Sequence, residues 1–231
     1  MSIIIGGVEP FTTVDFPGRL AAVLFCRGCT WRCPYCHNPE LQPFTGGSAV
    51  PWETVLEFLD SRRRLLDGIV FSGGEPLWQE ELPDAMQQVK DKGFEVGLHT
   101  SGASCERFER VLPQVDWIGF DVKAPFDSYD VRIPGADGRE VLKSLEKAIA
   151  AGVPLEIRTT LDPRLISRAE LREMARRLAG MGITTYALQE YRPHPSHADA
   201  PAASEISSFF NDAPLMQELN DLFADFIIRR A

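Results

Sequence analysis

The stretch LAAVLFCRGCTWRCPYC, residues 20–36, runs an apolar segment into a loop holding four of the chain's five cysteines. Leu20 to Phe25 reads as a short buried strand, because it is a run of apolar residues halted by a polar, glycine-containing loop. The cysteine loop has three readings. Cys26, Cys29, Cys33 and Cys36 taken as two CxxC pairs suggest a zinc knuckle. CPYC alone suggests a glutaredoxin-like redox pair, and Cys29, Cys33 and Cys36 suggest a three-thiolate iron–sulfur site. Zinc ribbons separate their knuckles by more than about ten residues, and here three residues lie between Cys29 and Cys33, so the spacing opposes zinc. The redox-pair reading leaves Cys26 and Cys29 without a role. Three thiolates can hold three irons of a cubane cluster and leave the fourth open, as catalytic metal sites do.

Around this loop the chain alternates short β-branched or apolar runs with longer helical patterns. Expected strands are Leu20–Phe25, Gly68–Ser72, Phe94–Leu98, Trp117–Val122, Pro154–Thr160 and Thr184–Leu188. Expected helices are Pro51–Arg64, Glu80–Lys92, Ser104–Leu112, Glu140–Ala151 and Ser167–Met181, with a last helix over Pro214–Arg230. Six strand–helix units imply parallel strands joined by right-handed crossovers, and six are too few for a full barrel. The expected fold is therefore α/β, an open sheet or an incomplete six-unit barrel. One domain over residues 1–231 is expected, with 196–231 a C-terminal loop and helix.

In such folds ligands gather at the carboxyl ends of the strands. There lie Cys26 onward, Gly73-Gly74-Glu75-Pro76, His99-Thr100-Ser101-Gly102, Asp121-Val122-Lys123, Arg158 and the segment reaching His194. A net charge of −9 argues against nucleic acid as a partner. No apolar run approaches the roughly 18 residues of a membrane span, so a cytosolic protein away from the membrane is expected. In that reducing compartment clustered cysteines serve metal or redox chemistry more often than disulfides. Cys105 stands apart in a helical segment, as a small packed hydrophobe.

Cys29, Cys33 and Cys36, with aromatic Tyr35 before the last, resemble the CxxxCxΦC signature of the radical S-adenosylmethionine superfamily. TTVDFPGRLAAVLFCRGCTWRCPYCHNPEL is similar to the N-terminal segment of glycyl-radical-enzyme activases, most of all those of anaerobic ribonucleoside-triphosphate reductase. The resemblance implies a [4Fe–4S] cluster on the three cysteines, passing one electron to S-adenosylmethionine. The resulting 5′-deoxyadenosyl radical would abstract hydrogen from a backbone glycine of a partner protein. It also implies that Tyr35 lies against the adenine and that Gly73, Gly74 and Glu75 meet the methionine moiety. Thr100, Ser101, Asp121 and Lys123 would line its carboxylate and the ribose. Arg158 is expected at the carboxylate or in an ion pair with Glu156, and His194 near the ribose. The implied partner is the reductase large subunit, with flavodoxin or ferredoxin as donor. Another glycyl-radical enzyme, such as pyruvate formate-lyase, or a small molecule would suit the same cofactors. His99 replaces an aspartate that in pyruvate formate-lyase activases helps hold a monovalent cation. Cys26 is expected to stay out of the cluster, because successive strand residues point to opposite faces and Phe25 and Cys26 must part.

Overall fold

The computed structural model describes residues 3–195, 197 and 199–230; Met1, Ser196 and Ala231, the bounds of the expected domain and its extension, lie outside them. Six parallel strands form where the apolar runs predict. They are β2 (Ala21–Cys26), β3 (Gly68–Gly73), β4 (Glu95–Thr100), β5 (Trp117–Asp121), β6 (Leu155–Leu161) and β7 (Thr185–Glu190). Two further strands flank them. β1 (Ile5–Thr12) pairs antiparallel with β2, and β8 (Asp225–Arg229) pairs parallel with β7. The eight strands follow chain order from β1 to β8.

Helices α1 (Trp52–Arg62), α2 (Leu82–Asp91), α3 (Cys105–Val111), the single turn α4 (Tyr129–Arg132), α5 (Gly138–Ala151) and α6 (Arg168–Gly180) lie between the parallel strands. Their ends follow local chemistry. Asp137 caps α5 by accepting from the Arg139 N–H, and Gly152 closes it at φ 67°. Ser167 and Glu170 cap each other's backbone at the start of α6. Val141, Leu145 and Ala148 of α5 lie on one stripe and are fully buried. Burying such a branched side chain contributes about 1.5–3 kcal/mol.

Alternation along β2 separates two apolar clusters. Ala22, Leu24 and Cys26 join the large core beneath the helices. Ala21 and Val23 join Phe16, Val70 and Trp117 in a small cluster on the inner face, against which Phe25 packs. The inner cluster closes the lower end of the sheet's hollow, and polar side chains take over toward the carboxyl ends.

Two expectations are corrected. The helix expected over Pro214–Arg230 is α8 (Ala213–Leu222) followed by β8, because Phe223 turns to extended geometry, φ −122° and ψ 146°. Its ring and that of Phe226 pack on Tyr186, with centroids 4.8 and 6.1 Å apart, while the backbone continues the β7 ladder. The polar loop expected before α8 contains a further helix, α7 (Ala203–Phe210), which buries Ile206, Phe209 and Phe210.

Candidate active site

β2 delivers the cysteine loop to the upper rim. Cys26, its last residue, is fully buried in the core under the helices, and burial pushes its thiol up. Phe25 lies on the other face, the separation strand geometry predicts. Cys29, Cys33 and Cys36 are half-buried, unpaired with any other cysteine, and line one cavity of about 210 Å³. Burial, with the Glu75 charge behind it, raises Cys29 to about 12; burial raises Cys33 to about 11, against the pull of Lys123.

The two glycines after β3 make room for this loop. Gly73 has φ 107°, and a Cβ there would lie 2.5 Å from the Cys26 carbonyl oxygen. A Cβ on Gly74 would lie 2.6 Å from the Gly28 carbonyl oxygen. In their place backbone hydrogen bonds run from Gly74 N to Cys26 O at 2.8 Å and from Glu75 N to Gly28 O at 3.0 Å. Both glycines also line the cavity.

Glu75 is 2% exposed and has no arginine or lysine bonded to it among the described residues. Oε1 accepts from Thr100 Oγ1 at 2.7 Å and Leu77 N at 3.2 Å, and Oε2 accepts from Ser101 N at 2.8 Å. A carboxylate offers about four acceptor positions, so one remains on Oε2. Burial raises its proton affinity and these three donors lower it, burial winning. From β5, Asp121 holds Lys123 Nζ at 2.8 Å. Burial opposes the ammonium charge, but Asp121, Tyr35 and Cys33 outweigh it and hold Lys123 well above its usual range. Tyr35 lies with its ring centroid 5.9 Å from Nζ, and its buried hydroxyl has no hydrogen-bond partner among the described residues.

Cys29, Cys33, Cys36, Tyr35, Gly73, Gly74, Glu75, Thr100, Ser101, Asp121 and Lys123 thus share one cavity wall. Arg158 and His194 stand outside it. Arg158 bonds Glu156, two residues back on the same strand face, at 2.7 Å, and lines the neighbouring cavity instead. His194 packs toward His197, ring centroids 5.5 Å apart. His99 is held neutral, burial first and Arg158 next keeping its imidazole well below the ordinary range. Its Nε2 reaches the Asp15 carbonyl at 2.9 Å and its Nδ1 the Ser72 hydroxyl at 3.2 Å.

Two residues escape sequence reasoning. Gln79 accepts from Ile4 N at 3.0 Å and donates to the Arg27 carbonyl, stapling the start of β1 to the cysteine loop. His197 Nδ1 accepts from Tyr191 Oη at 2.7 Å and His194 N at 3.3 Å, which leaves Nε2–H to donate to the Cys36 carbonyl at 3.0 Å. An i, i+6 Tyr–His pair is no recognised signal.

The donor set suits the cofactors the sequence suggests. Among the described residues no three His, Cys, Asp or Glu side chains converge as on a single metal ion. A cubane asks for a wider triangle, since each thiolate takes a different iron. Tyr35 and Glu75 both line the cavity, and among the described residues the Tyr35 hydroxyl has no hydrogen-bond partner while Glu75 keeps one acceptor position.

A profile of the radical SAM superfamily matches residues 23–178, and the chain belongs to that superfamily. It is accordingly a radical SAM enzyme that works with a [4Fe–4S] cluster and S-adenosylmethionine. A protein of Methanocaldococcus jannaschii named as a glycyl-radical enzyme activating enzyme is 30% identical over 207 residues, 85% of this chain and 83% of that one. The pyruvate formate-lyase-activating enzyme of Clostridium pasteurianum is 33% identical over 180 residues, 74% of each. Among solved structures, SuiB of Streptococcus suis bound to its precursor peptide superposes with a TM-score of 0.67 at 13% identity. That match covers 90% of this chain and 48% of SuiB, and shows the shared fold.

Proposed function

We propose that this chain is a glycyl-radical-enzyme activase whose partner is an anaerobic ribonucleoside-triphosphate reductase, with Cys29, Cys33 and Cys36 as the cluster ligands. The observation that carries it is that these cysteines line the same cavity as Glu75, Thr100, Ser101, Asp121 and Lys123, at the ends of four successive parallel strands. When bound, the cluster supplies the single electron that cleaves the sulfonium of S-adenosylmethionine. The protein's share is orientation and exclusion of water. Glu75 turns its remaining acceptor position to the cofactor's ammonium group, a charge-assisted bond in a buried setting. Lys123, fixed by Asp121, offers its charge to a carboxylate, and Tyr35 packs its ring on the adenine, worth about 0.5–1.5 kcal/mol beyond burial.

The reductase as partner is supported by the segment from Thr12 to Leu41, and flavodoxin or ferredoxin would serve as donor in a reducing cytosol. Five unpaired cysteines fit that compartment. Among the described residues no helix is long and apolar enough to cross a membrane. The relatives named for pyruvate formate-lyase favour a second reading, the same chemistry on a lyase. Anaerobic reconstitution with iron and sulfide tests both. The cluster's electron paramagnetic resonance spectrum should change on adding S-adenosylmethionine, and incubation with reductase should give a glycyl radical signal. A signal with lyase alone would move the partner, and a protein that takes up only zinc would end the reading.

A further inference from the structure

A second cavity, of about 500 Å³, opens beside the first and shares His37, Thr160 and Gln189 with it, so whatever occupies one borders the other. Its charge is lopsided for a chain of net charge −9. Arg158, Arg192, Arg229 and Arg230 line it together with Asp15 and Glu190.

Its floor shows why positive charge is left over. The Glu156 carboxylate, 2% exposed, accepts from Arg158 Nε at 2.7 Å and from Arg229 Nη1 and Nη2 at 2.7 and 2.9 Å. One buried anion is thus shared by two cations. The Arg158 side chain is 8% exposed, and its terminal nitrogens make no hydrogen bond to any described residue. Its guanidinium stacks 5.1 Å from the Trp117 ring centroid, in a space that exists because residue 119 is glycine: a Cβ there would lie 2.7 Å from Arg158 Cζ. This is a planar donor fork, fixed in place and unused, on the floor of an open cavity.

Such a fork recognises carboxylate or phosphate oxygens. Four arginines against Glu156, Asp15 and Glu190 leave one positive charge in excess, which matches a single carboxylate better than a phosphate dianion. The rim adds Val14, 68% exposed, and Arg192, also exposed, so a chain bearing apolar and acidic groups would fit. Resting on the reading of this protein as an activase of a protein substrate, we propose that the second cavity receives a carboxylate of the partner's glycine-bearing segment. Arg158 binds it from below and Arg192 draws it in at the rim. The cavity thereby sets which glycine arrives beside the cofactor.

The test uses the reconstituted, S-adenosylmethionine-loaded protein and three fluorescently labelled glycine-centred octapeptides, read by anisotropy. One carries Glu beside the glycine with an amidated end, one carries Gln with an amidated end, and one carries Gln with a free terminal carboxylate. A carboxylate peptide should bind about tenfold tighter than the all-amide peptide, the value of one charge-assisted bond. Which of the two wins tells a side-chain carboxylate from a chain terminus. Arg158→Gln should erase most of that preference. It leaves the two Arg229 bonds to Glu156 in place, and Arg192→Gln, on the exposed rim, should lower the preference about threefold without touching the core. Equal binding of all three peptides, or a preference that survives both substitutions, would overturn the proposal. If the cluster spectrum fails to respond to S-adenosylmethionine, the activase reading fails instead, and the peptide comparison still decides the charge of the cavity.

Discussion

Glu75, just beyond the end of β3, and Glu156, within β6, are both 2% exposed and treated oppositely by their surroundings. Among the described residues Glu75 accepts only from neutral groups, a hydroxyl and two backbone N–H groups, and burial raises its proton affinity. Burial acts on Glu156 too, but Arg229 and Arg158 outweigh it and hold that carboxyl below its usual range. A buried anion without a cation is a site waiting for one. A buried anion with two cations has turned its neighbourhood positive. One mouth thus carries a cation-seeking half under β2–β5 and an anion-seeking half under β6–β8, which is what a zwitterionic cofactor beside an acidic peptide would need.

The comparison breaks first at the cysteines. Replacing Cys29, Cys33 or Cys36 by Ala should abolish cleavage of S-adenosylmethionine, measured as 5′-deoxyadenosine formed, while Cys26→Ala should retain it at a stability cost of about 1 kcal/mol. Activity lost in Cys26→Ala with the fold intact would place that thiol in the cluster. Next, Glu156→Gln should destabilise the protein by about 3–5 kcal/mol in urea unfolding, because it strands two buried or half-buried guanidinium groups. A loss under about 1 kcal/mol would mean solvent already neutralises them. Glu75→Gln should cost less, about 1–3 kcal/mol, since its partners are neutral, yet weaken S-adenosylmethionine binding about tenfold in a spectroscopic titration.

The smallest effect is in pH dependence. Glu156, with a folded pKa below its ordinary 4.5, contributes stability that is complete above 4.5 and lost as pH falls through the folded value. Glu75, raised above 4.5, has the opposite sign: its ionised form costs stability, and protonation relieves that cost as pH falls toward 4.5. Urea midpoints between about pH 3 and pH 6 should therefore fall less steeply in Glu156→Gln and more steeply in Glu75→Gln than in the unsubstituted protein.

Much of this was legible in the chain, for reasons that differ by element. β2, β3 and β5 are buried on both faces and read as near-continuous apolar runs, β4, β6 and β7 mix apolar or β-branched with polar residues between turn signals, and the glycines and cysteines at the carboxyl ends sit where strand ends must deliver a site. β1, with sequence IGGVEPFT, hides behind two glycines and a proline, as edge strands often do. β8 hides inside DLFADFIIRR, where five apolar-rich residues cannot be told from a helix by periodicity. Only pairing with β7 decides it. The same limit explains Arg158. Its pairing with Glu156 is local and was legible, but the second claim on Glu156 comes from Arg229, 73 residues on, and that contact turns a routine ion pair into surplus charge. Gly73 and Gly74 were legible as a tight turn, whereas their contacts with the Cys26 and Gly28 carbonyls belong to the fold alone.

β1 and β8 run in opposite directions at the two ends of the sheet, and that fixes where the chain meets its surroundings. Ile5 stands level with Cys26, and Arg229 level with Gln189 at the top of β7. The described fold is therefore entered and left on the rim that carries the cysteines. A polyhistidine purification handle joined at either end would hang beside the mouth, offering imidazoles to iron during reconstitution and crowding a macromolecular visitor. A handle carried on the solvent face of α5, at the far side of the helical layer, would keep that doorway clear.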